Sequence, residues 1–358
     1  MKRIVYSLMF FLFIIFFAFY FTDITEIILV FNENKLYEIK KQQTIDINTL
    51  DESKFFNDGI LTYNNQKIIF LDFSNNVIWE NQNRNFTDKI LIDKDYVYRC
   101  IGNGVELIDK NNQTYMNIEI SGEIIFVSRE TNKKYIIADQ KNGQNSLYII
   151  DDNNEFFVDN RLFNGIITDI SISDKLERYL VTTLTAAGNS FINTLSFNHL
   201  MVNSELWSTE IEDEIIMETE IINNNLLVIG TNNIYLFNEH GKLMWKNINY
   251  SNVRYYEINK NSEEIYLLFE KNNKYEIVCY SYDGKVKSIY KIPSIVQKLK
   301  IFNDKIFVYN ENTIYLIHNS NSDKLFEAKE SLILDFYVQN NNNIYILLKD
   351  KLIKGQIR

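Results

Sequence analysis

Short apolar strands recur about every 40 residues along this chain, and each series closes on the same kind of hairpin. The clearest copies run from Ile68-Ile69-Phe70-Leu71 to Trp79 and from Ile234-Tyr235-Leu236-Phe237 to Trp245, with the tryptophan eleven positions after the first apolar residue in both. A repeat of this length built from strands and turns predicts a β-propeller, because one such unit cannot bury its own faces and must stack on its neighbours. Taking the first apolar residue of each third strand gives Ile68, Val105, Leu147, Ile192, Ile234, Ile277, Ile314 and Leu352, at intervals of 37 to 45 residues. Eight anchors predict an all-β ring of eight four-stranded blades. Seven is the alternative if the last repeat is not a full blade.

The fifth unit shows the plan. Its strands read as Ile215 to Ile221, Leu226 to Ile229, Ile234 to Phe237 and Leu243 to Lys246, separated by Asn223 to Asn225, Thr231 to Asn233 and Glu239-His240-Gly241. Asp283-Gly284 makes the equivalent hairpin in the sixth unit, where a positive φ is needed. The last unit holds three strands, ending with Leu352 to Ile357, while Gln42 to Asn48 alternates like a strand ahead of the first unit. Pairing that N-terminal strand with the last blade removes an open sheet edge. The expected propeller therefore covers residues 40–358.

The first residues are of another kind. Lys2 and Arg3 precede an apolar run from Ile4 to Phe21 that contains seven phenylalanines. Eighteen helical residues reach roughly 27 Å, close to the thickness of a bilayer core. Positive charge before the run, with Asp23 and Glu26 after it, predicts an N-terminus inside and the remainder outside. Ala18-Phe19-Tyr20-Phe21-Thr22 offers no small-residue cleavage pair, so the segment reads as an uncleaved signal anchor, with a cleaved signal peptide as the alternative. The expected organisation is a cytoplasmic start at 1–3, a transmembrane anchor at 4–21, a tether at 22–39 and an extracytoplasmic propeller. The expected location is the cell membrane, crossed once.

The formal net charge is −10, and lysines and arginines are scattered among acidic neighbours, which gives no footprint for nucleic acid. Asparagine is over-used, in turn clusters such as Asn223-Asn224-Asn225 and Asn340 to Asn343. Cys100 and Cys279 each lie inside an apolar strand of well-separated repeats, and they read as buried thiols rather than a disulfide. The three histidines, His199, His240 and His318, each follow a third strand and cannot converge on one ion. Neither a metal site nor a Ser-His-Asp triad is expected. Glu210, Glu212, Asp213 and Glu214 read as a solvated acidic connection between blades. On the inner strands Asp169, Glu218 and Glu220 are the titratable groups that a channel-centred enzyme would use.

Trp79, Trp207 and Trp245 fall in the same place, the outer strand after the hairpin, where other units carry Met116, Val158 or Phe326. A position that accepts all of these is a packing slot between blades. The hairpins between second and third strands are long in units three and four, Lys141 to Ser146 and Thr185 to Ser190. Such hairpins emerge on one face, so the two form a raised polar lip. Lys141, Asn142, Gln144, Asn145, Thr185, Asn189 and Ser190 are accordingly the candidate binding residues, since loops carry function more often than the scaffold beneath them.

Gly241-Lys242-Leu243-Met244-Trp245 resembles the Gly-Lys-x-x-Trp blade-docking element of quinoprotein-type propellers, and Trp79 repeats the layout with Asn75 in the glycine position. The Asp that precedes that hairpin in quinoprotein repeats is replaced by Phe237 or sits one place away as Asp72. The vicinal cysteines that flank the quinone are absent. The resemblance thus implies the fold without the cofactor, and none is expected. Over its whole length the chain resembles the anchored propellers of Gram-positive bacteria classed as domain of unknown function 5711. It shares their basic start, single apolar anchor and quinoprotein-like repeats, and its fourth unit (Ile170-Ser171-Ile172-Ser173-Asp174, then Tyr179-Leu180-Val181-Thr182) is similar too. That family lends no catalytic residues. The expectation is a non-enzymatic scaffold that binds a protein or envelope polymer. The alternative is a lyase, hydrolase or quinoprotein-like oxidoreductase working at the central channel.

Overall fold

Eight apolar anchors require eight sheets, and eight four-stranded antiparallel sheets are present. The computed structural model describes residues 37–358 apart from 48, 65, 83–88, 93–95, 131–132, 141–142, 152, 154, 203, 249–252, 272–273, 293–295, 303, 319–320 and 340–341. The segment 4–21 expected to cross a membrane lies outside the described residues. Among the described residues no helix is long and apolar enough to do so.

Every anchor falls in the third strand of its blade, from Ile68 in Lys67–Asp72 to Leu352 in Lys351–Ile357. The two middle strands of a blade are covered on both faces, which is why they read as unbroken apolar runs. Leu226, Leu227, Val228 and Ile229 are all fully buried. The core lies between blades rather than within one. Ile222, Leu227, Ile229, Ile234 and Leu236 of blade 5, for example, pack on Val253, Ile265, Leu267 and Val278 of blade 6.

The first strands of neighbouring blades touch one another, which puts them innermost, around the channel. Chain direction then defines two faces. One carries the second-to-third-strand hairpins and the blade-to-blade connections, and we term it the lip face. The other carries the remaining hairpins, and we term it the turn face. Turns use asparagine where glycine is scarce: Asn57, Asn75, Asn112, Asn223 and Asn224 all take a positive φ, as does Asn160 at a bulge in an outer strand.

The ring closes as expected, with a shift in boundaries. Ile39–Asp46 pairs antiparallel with Lys351–Ile357, so the closing strand begins three residues before Gln42. Only Ile39 and Ile45 of that strand turn toward the cores, and its polar remainder faces water, as suits an outer strand. The chain enters on the turn face. There the Tyr37 N–H donates to Asp323 Oδ2 (2.9 Å) and its ring meets His318 edge-on at 5.3 Å.

Two expectations about connections are corrected. In unit four the lip is not a long loop. The strands Arg178–Ala187 and Ser190–His199 stay paired to Ala187–Ser190, leaving the two-residue turn Gly188-Asn189. Glu214 does not belong to a solvated loop. It is buried and accepts the Asn232 and Asn233 N–H groups (2.7 and 2.6 Å), Asn233 Nδ2 (2.7 Å) and the Tyr235 hydroxyl (2.5 Å). Gly230 makes room for it, since a Cβ there would come within 2.2 Å of the carboxylate. Glu210, Glu212 and Asp213 are exposed as expected.

Candidate functional site

The channel wall carries the molecule's chemistry, and a repeated irregularity puts it there. In five blades the inner strand contains a β-bulge near its lip-face end, between Ile124 and Phe126, Ile167 and Asp169, Ile216 and Glu218, Val253 and Tyr255, and Ile333 and Asp335. A bulge inserts a residue and re-aims the side chains that follow. The residue after it is Phe126, Asp169, Glu218, Tyr255 or Asp335, and Lys300 holds the corresponding level in the unbulged strand Lys298–Phe302 of blade 7. Polar and aromatic groups thus form a ring just inside the lip-face mouth.

The ring is electrostatically uneven. In blades 7 and 8 Lys300 Nζ meets Asp335 Oδ1 at 2.5 Å and the Phe336 carbonyl at 3.0 Å, and the Tyr309 hydroxyl reaches the same carboxylate at 3.2 Å. In blades 4 and 5 two carboxylates stand together. Asp169 Oδ2 accepts the Thr219 N–H (2.6 Å) and hydroxyl (2.7 Å), while Ser171 Oγ accepts the Ile221 N–H (3.0 Å), so these two inner strands are tied side by side. Glu218 Oε2 accepts the Tyr256 hydroxyl of blade 6 at 2.5 Å. Burial pushes Glu218 up to about 7, with repulsion from Asp169 adding to it, against the hydrogen bond from Tyr256 and the attraction of Lys260. Burial likewise pushes Asp169 up to about 6 despite the hydrogen bonds from Thr219. Glu257 on the next strand rises to about 7 for the same reason, partly offset by Lys300. Deeper toward the turn face Lys260 pairs with Glu220 at 2.7 Å.

Around the mouth several exposed side chains are apolar: Phe126, Ile166 and Ile215 of blades 3 to 5, next to exposed Ala186 and Ala187, and Leu332 of blade 8; Leu162 is exposed on the outer strand of blade 3. A cleft of about 600 Å³ opens beside Leu162, lined also by Ser121, Gly122, Glu123, Asp139, Gln140 and Asn160.

The sequence carries a family signature across residues 31–355. The chain belongs to the DUF5711 family, a family of unknown function. No protein of curated function matches this DUF5711 member. Solved structures show its fold at low identity. BamB from Moraxella catarrhalis superposes with a TM-score of 0.53 at 10% identity, covering 89% of this chain and 99% of that one. The Dos1 propeller gives 0.55 at 10% identity, over 89% and 95%. A eukaryotic initiation factor gives 0.52 at 11% identity, over 79% and 81%.

The candidate residues of this DUF5711 chain fall into three groups. The tryptophans lie on the turn face, and each indole N–H donates to a backbone carbonyl in a turn of the next blade: Trp79 to Lys110 (2.9 Å), Trp207 to Glu239 (2.9 Å) and Trp245 to Tyr282 (3.2 Å). Gly241 and Gly284 lie under the Trp207 and Trp245 rings, where a Cβ would come within 2.7 and 2.8 Å. Among the lip residues, Thr185, Asn189 and Ser190 are on the projecting hairpin of blade 4, the last two exposed. Gln144 is half-buried and donates to Asn164 Oδ1 at 2.9 Å. Asn145 leaves the binding set: it is buried, accepts the Ile167 N–H (2.8 Å) and donates to Asp139 (3.2 Å), so it joins blade 3 to blade 4. Lys141 and Asn142 lie outside the described residues.

His318 Nε2 lies 2.8 Å from the buried carboxylate of Asp323, and His199 serves a turn. His199 Nδ1 accepts the Met201 N–H (3.2 Å), as Asp72, Asp109, Asp151 and Asn238 accept N–H groups two and four residues on at the same place in other blades. Cys100 and Cys279 are buried and unbridged. Among the described residues no three His, Cys, Asp or Glu side chains gather as metal ligands.

Proposed function

We propose that this DUF5711 propeller is a membrane-anchored, extracytoplasmic and non-enzymatic scaffold that engages a protein or cell-envelope partner through its lip face. The apolar run 4–21 with its basic flank supports the anchor and the orientation. The observation that carries the binding reading is the group of exposed apolar side chains at the lip-face mouth, Phe126, Ile166 and Ile215. Patches of this kind on a soluble surface mark interaction sites. Because Tyr37 enters at the turn face, a tether leading from the membrane leaves that mouth pointing outward.

Chemical cross-linking on intact cells, followed by capture of the full-length protein, tests this. A recurrent partner whose cross-links map to blades 3 to 5 on the lip face is expected. Absence of any partner, or cross-links confined to the turn face, would refute it. Protease added outside the cell should digest the propeller; full protection in a permeable envelope would reverse the orientation.

One observation favours a second reading, an enzyme working at the channel. Asp169 and Glu218 titrate near physiological pH, where general acids and bases operate. Turnover of panels of ester and glycoside substrates, abolished in Glu218→Gln, would establish it. Equal rates in both proteins would dismiss it.

A further inference from the structure

We infer that the lip-face mouth of the channel is a socket for a lysine or arginine side chain, presented by a protein segment whose neighbouring residues are apolar. The inference rests on the scaffold reading and names the chemistry of its partner.

Two features lie one above the other. Phe126 of blade 3, 44% exposed, stands in the ring itself, while at the surface Ile166 and Ile215 are 58% and 54% exposed, at the start of the inner strand of blade 4 and just ahead of that of blade 5. Below them, three residues further along the same strands, stand Asp169 and Glu218. At about 3.3 Å per residue that is a depth of roughly 7–10 Å. An occupant must therefore be apolar along its stem and cationic at its tip. Lysine and arginine are the side chains built this way, with an aliphatic stem that packs on apolar surface and a charged head.

The charges around the ring point to the same occupant. Asp335 is matched by Lys300, and Glu220 by Lys260. Asp169 and Glu218 stand on adjacent inner strands and repel each other; they receive hydrogen bonds from Thr219 and Tyr256, and Lys260, paired with Glu220, offsets only part of that repulsion. A cationic head between them relieves that repulsion. The surroundings extend the preference, because Glu123, Asp139, Glu212 and Asp213 are exposed beside the apolar patch. Arg161, on the outer strand of blade 3, is turned onto Tyr179, whose hydroxyl it bonds at 2.5 Å, and onto the Phe163 ring. A hydrated metal ion would make no use of the apolar collar, and an acidic polymer would be repelled by the rim.

The test uses the full-length protein in its own membrane at pH 8. Benzoylphenylalanine replaces Ile166, or Ile78 on the outer strand of blade 1, and the cross-linked partner segments are sequenced by mass spectrometry. Products at the Ile166 position are expected to fall in segments with lysine or arginine flanked by apolar residues. Their yield is expected to drop about tenfold when Glu218→Gln and Asp169→Asn are added, since these keep the hydrogen-bond acceptors and remove the charge. Unchanged yield, or segments without a basic residue, overturns the socket. Products from Ile78 alone overturn the lip-face reading together with the socket, whereas products at Ile166 that lack a basic residue overturn the socket alone. No products from either position overturn the scaffold reading itself.

Discussion

Replacing Glu218 by glutamine should make the protein more stable, and only at high pH. The folded state raises the Glu218 pKa from the usual 4.5 to about 7. A carboxyl that binds its proton more tightly when folded contributes fully at pH values below its unfolded pKa. That contribution is lost as pH rises through the folded value. Each tenfold in proton affinity is worth about 1.36 kcal/mol, so holding the charge in the folded ring costs about 3 kcal/mol by pH 8. Part of that cost belongs jointly to Asp169, which Glu218 repels, so about 2 kcal/mol is the gain expected from this one substitution. Glutamine keeps an oxygen for the Tyr256 hydroxyl, which preserves the cross-blade hydrogen bond. Thermal melts of the full-length protein in detergent should coincide for the two proteins near pH 4.5. At pH 8 the variant should melt roughly 3 °C higher. Curves that separate equally at both pH values, or a variant that is less stable at pH 8, would refute the account of a charge held at a cost.

Three further substitutions test the frame around the ring. Trp245→Ala removes the ring over Gly284 and its hydrogen bond to the Tyr282 carbonyl, and should cost about 3 kcal/mol in urea unfolding; no loss would mean that blades 5 and 6 do not dock through it. Glu214→Ala strands two backbone N–H groups and the Tyr235 hydroxyl in a buried site, and should likewise cost about 3 kcal/mol, whereas a solvated carboxylate would cost nothing measurable. Replacing Ile39 and Ile45 by aspartate removes the apolar contacts of the closing strand, and should lower stability by roughly 3 kcal/mol; an unchanged melting temperature would show that the ring holds without that strand.

The architecture was legible because burial on both faces imposes it. A middle strand such as Leu226 to Ile229 must be apolar at every position, and eight such pairs of strands at a regular interval can only stack around an axis. The closing strand was legible too, since seven complete blades and three leftover strands demand a fourth. Its start was missed by three residues, Ile39 to Lys41, because Lys40 and Lys41 face water and break the apolar pattern between Ile39 and Ile45. Glu214 was misplaced for a related reason. It stands in a run of acids, and nothing local distinguishes the one that folds inward from the three that do not. The distinguishing partners, Asn232, Asn233 and Tyr235, come some twenty residues later.

The ring at the channel mouth was half legible, and the missing half has a pattern of its own. Asp169, Glu218 and Glu220 stood out as charges on inner strands, but Asp335, Glu257 and Lys300 did not, and Tyr255 and Tyr256 read as ordinary β-formers. What unites the ring is the bulge. In Ile167-Thr168-Asp169, Ile216-Met217-Glu218 and Ile333-Leu334-Asp335 a buried isoleucine is followed two places later by a carboxylate. In a regular strand such spacing would put both residues on the same face, and the carboxylate would enter the core. An extra residue at that point re-aims the chain and brings the acid to the channel instead. The placement of a charge where period-two alternation forbids it, repeated at one position in three blades, is therefore the sequence mark of this ring. Val253-Arg254-Tyr255 and Ile124-Ile125-Phe126 bulge in the same way without a charge. Five inner strands share the bulge, and in blades 4, 5 and 8 it is a carboxylate that the bulge aims at the channel.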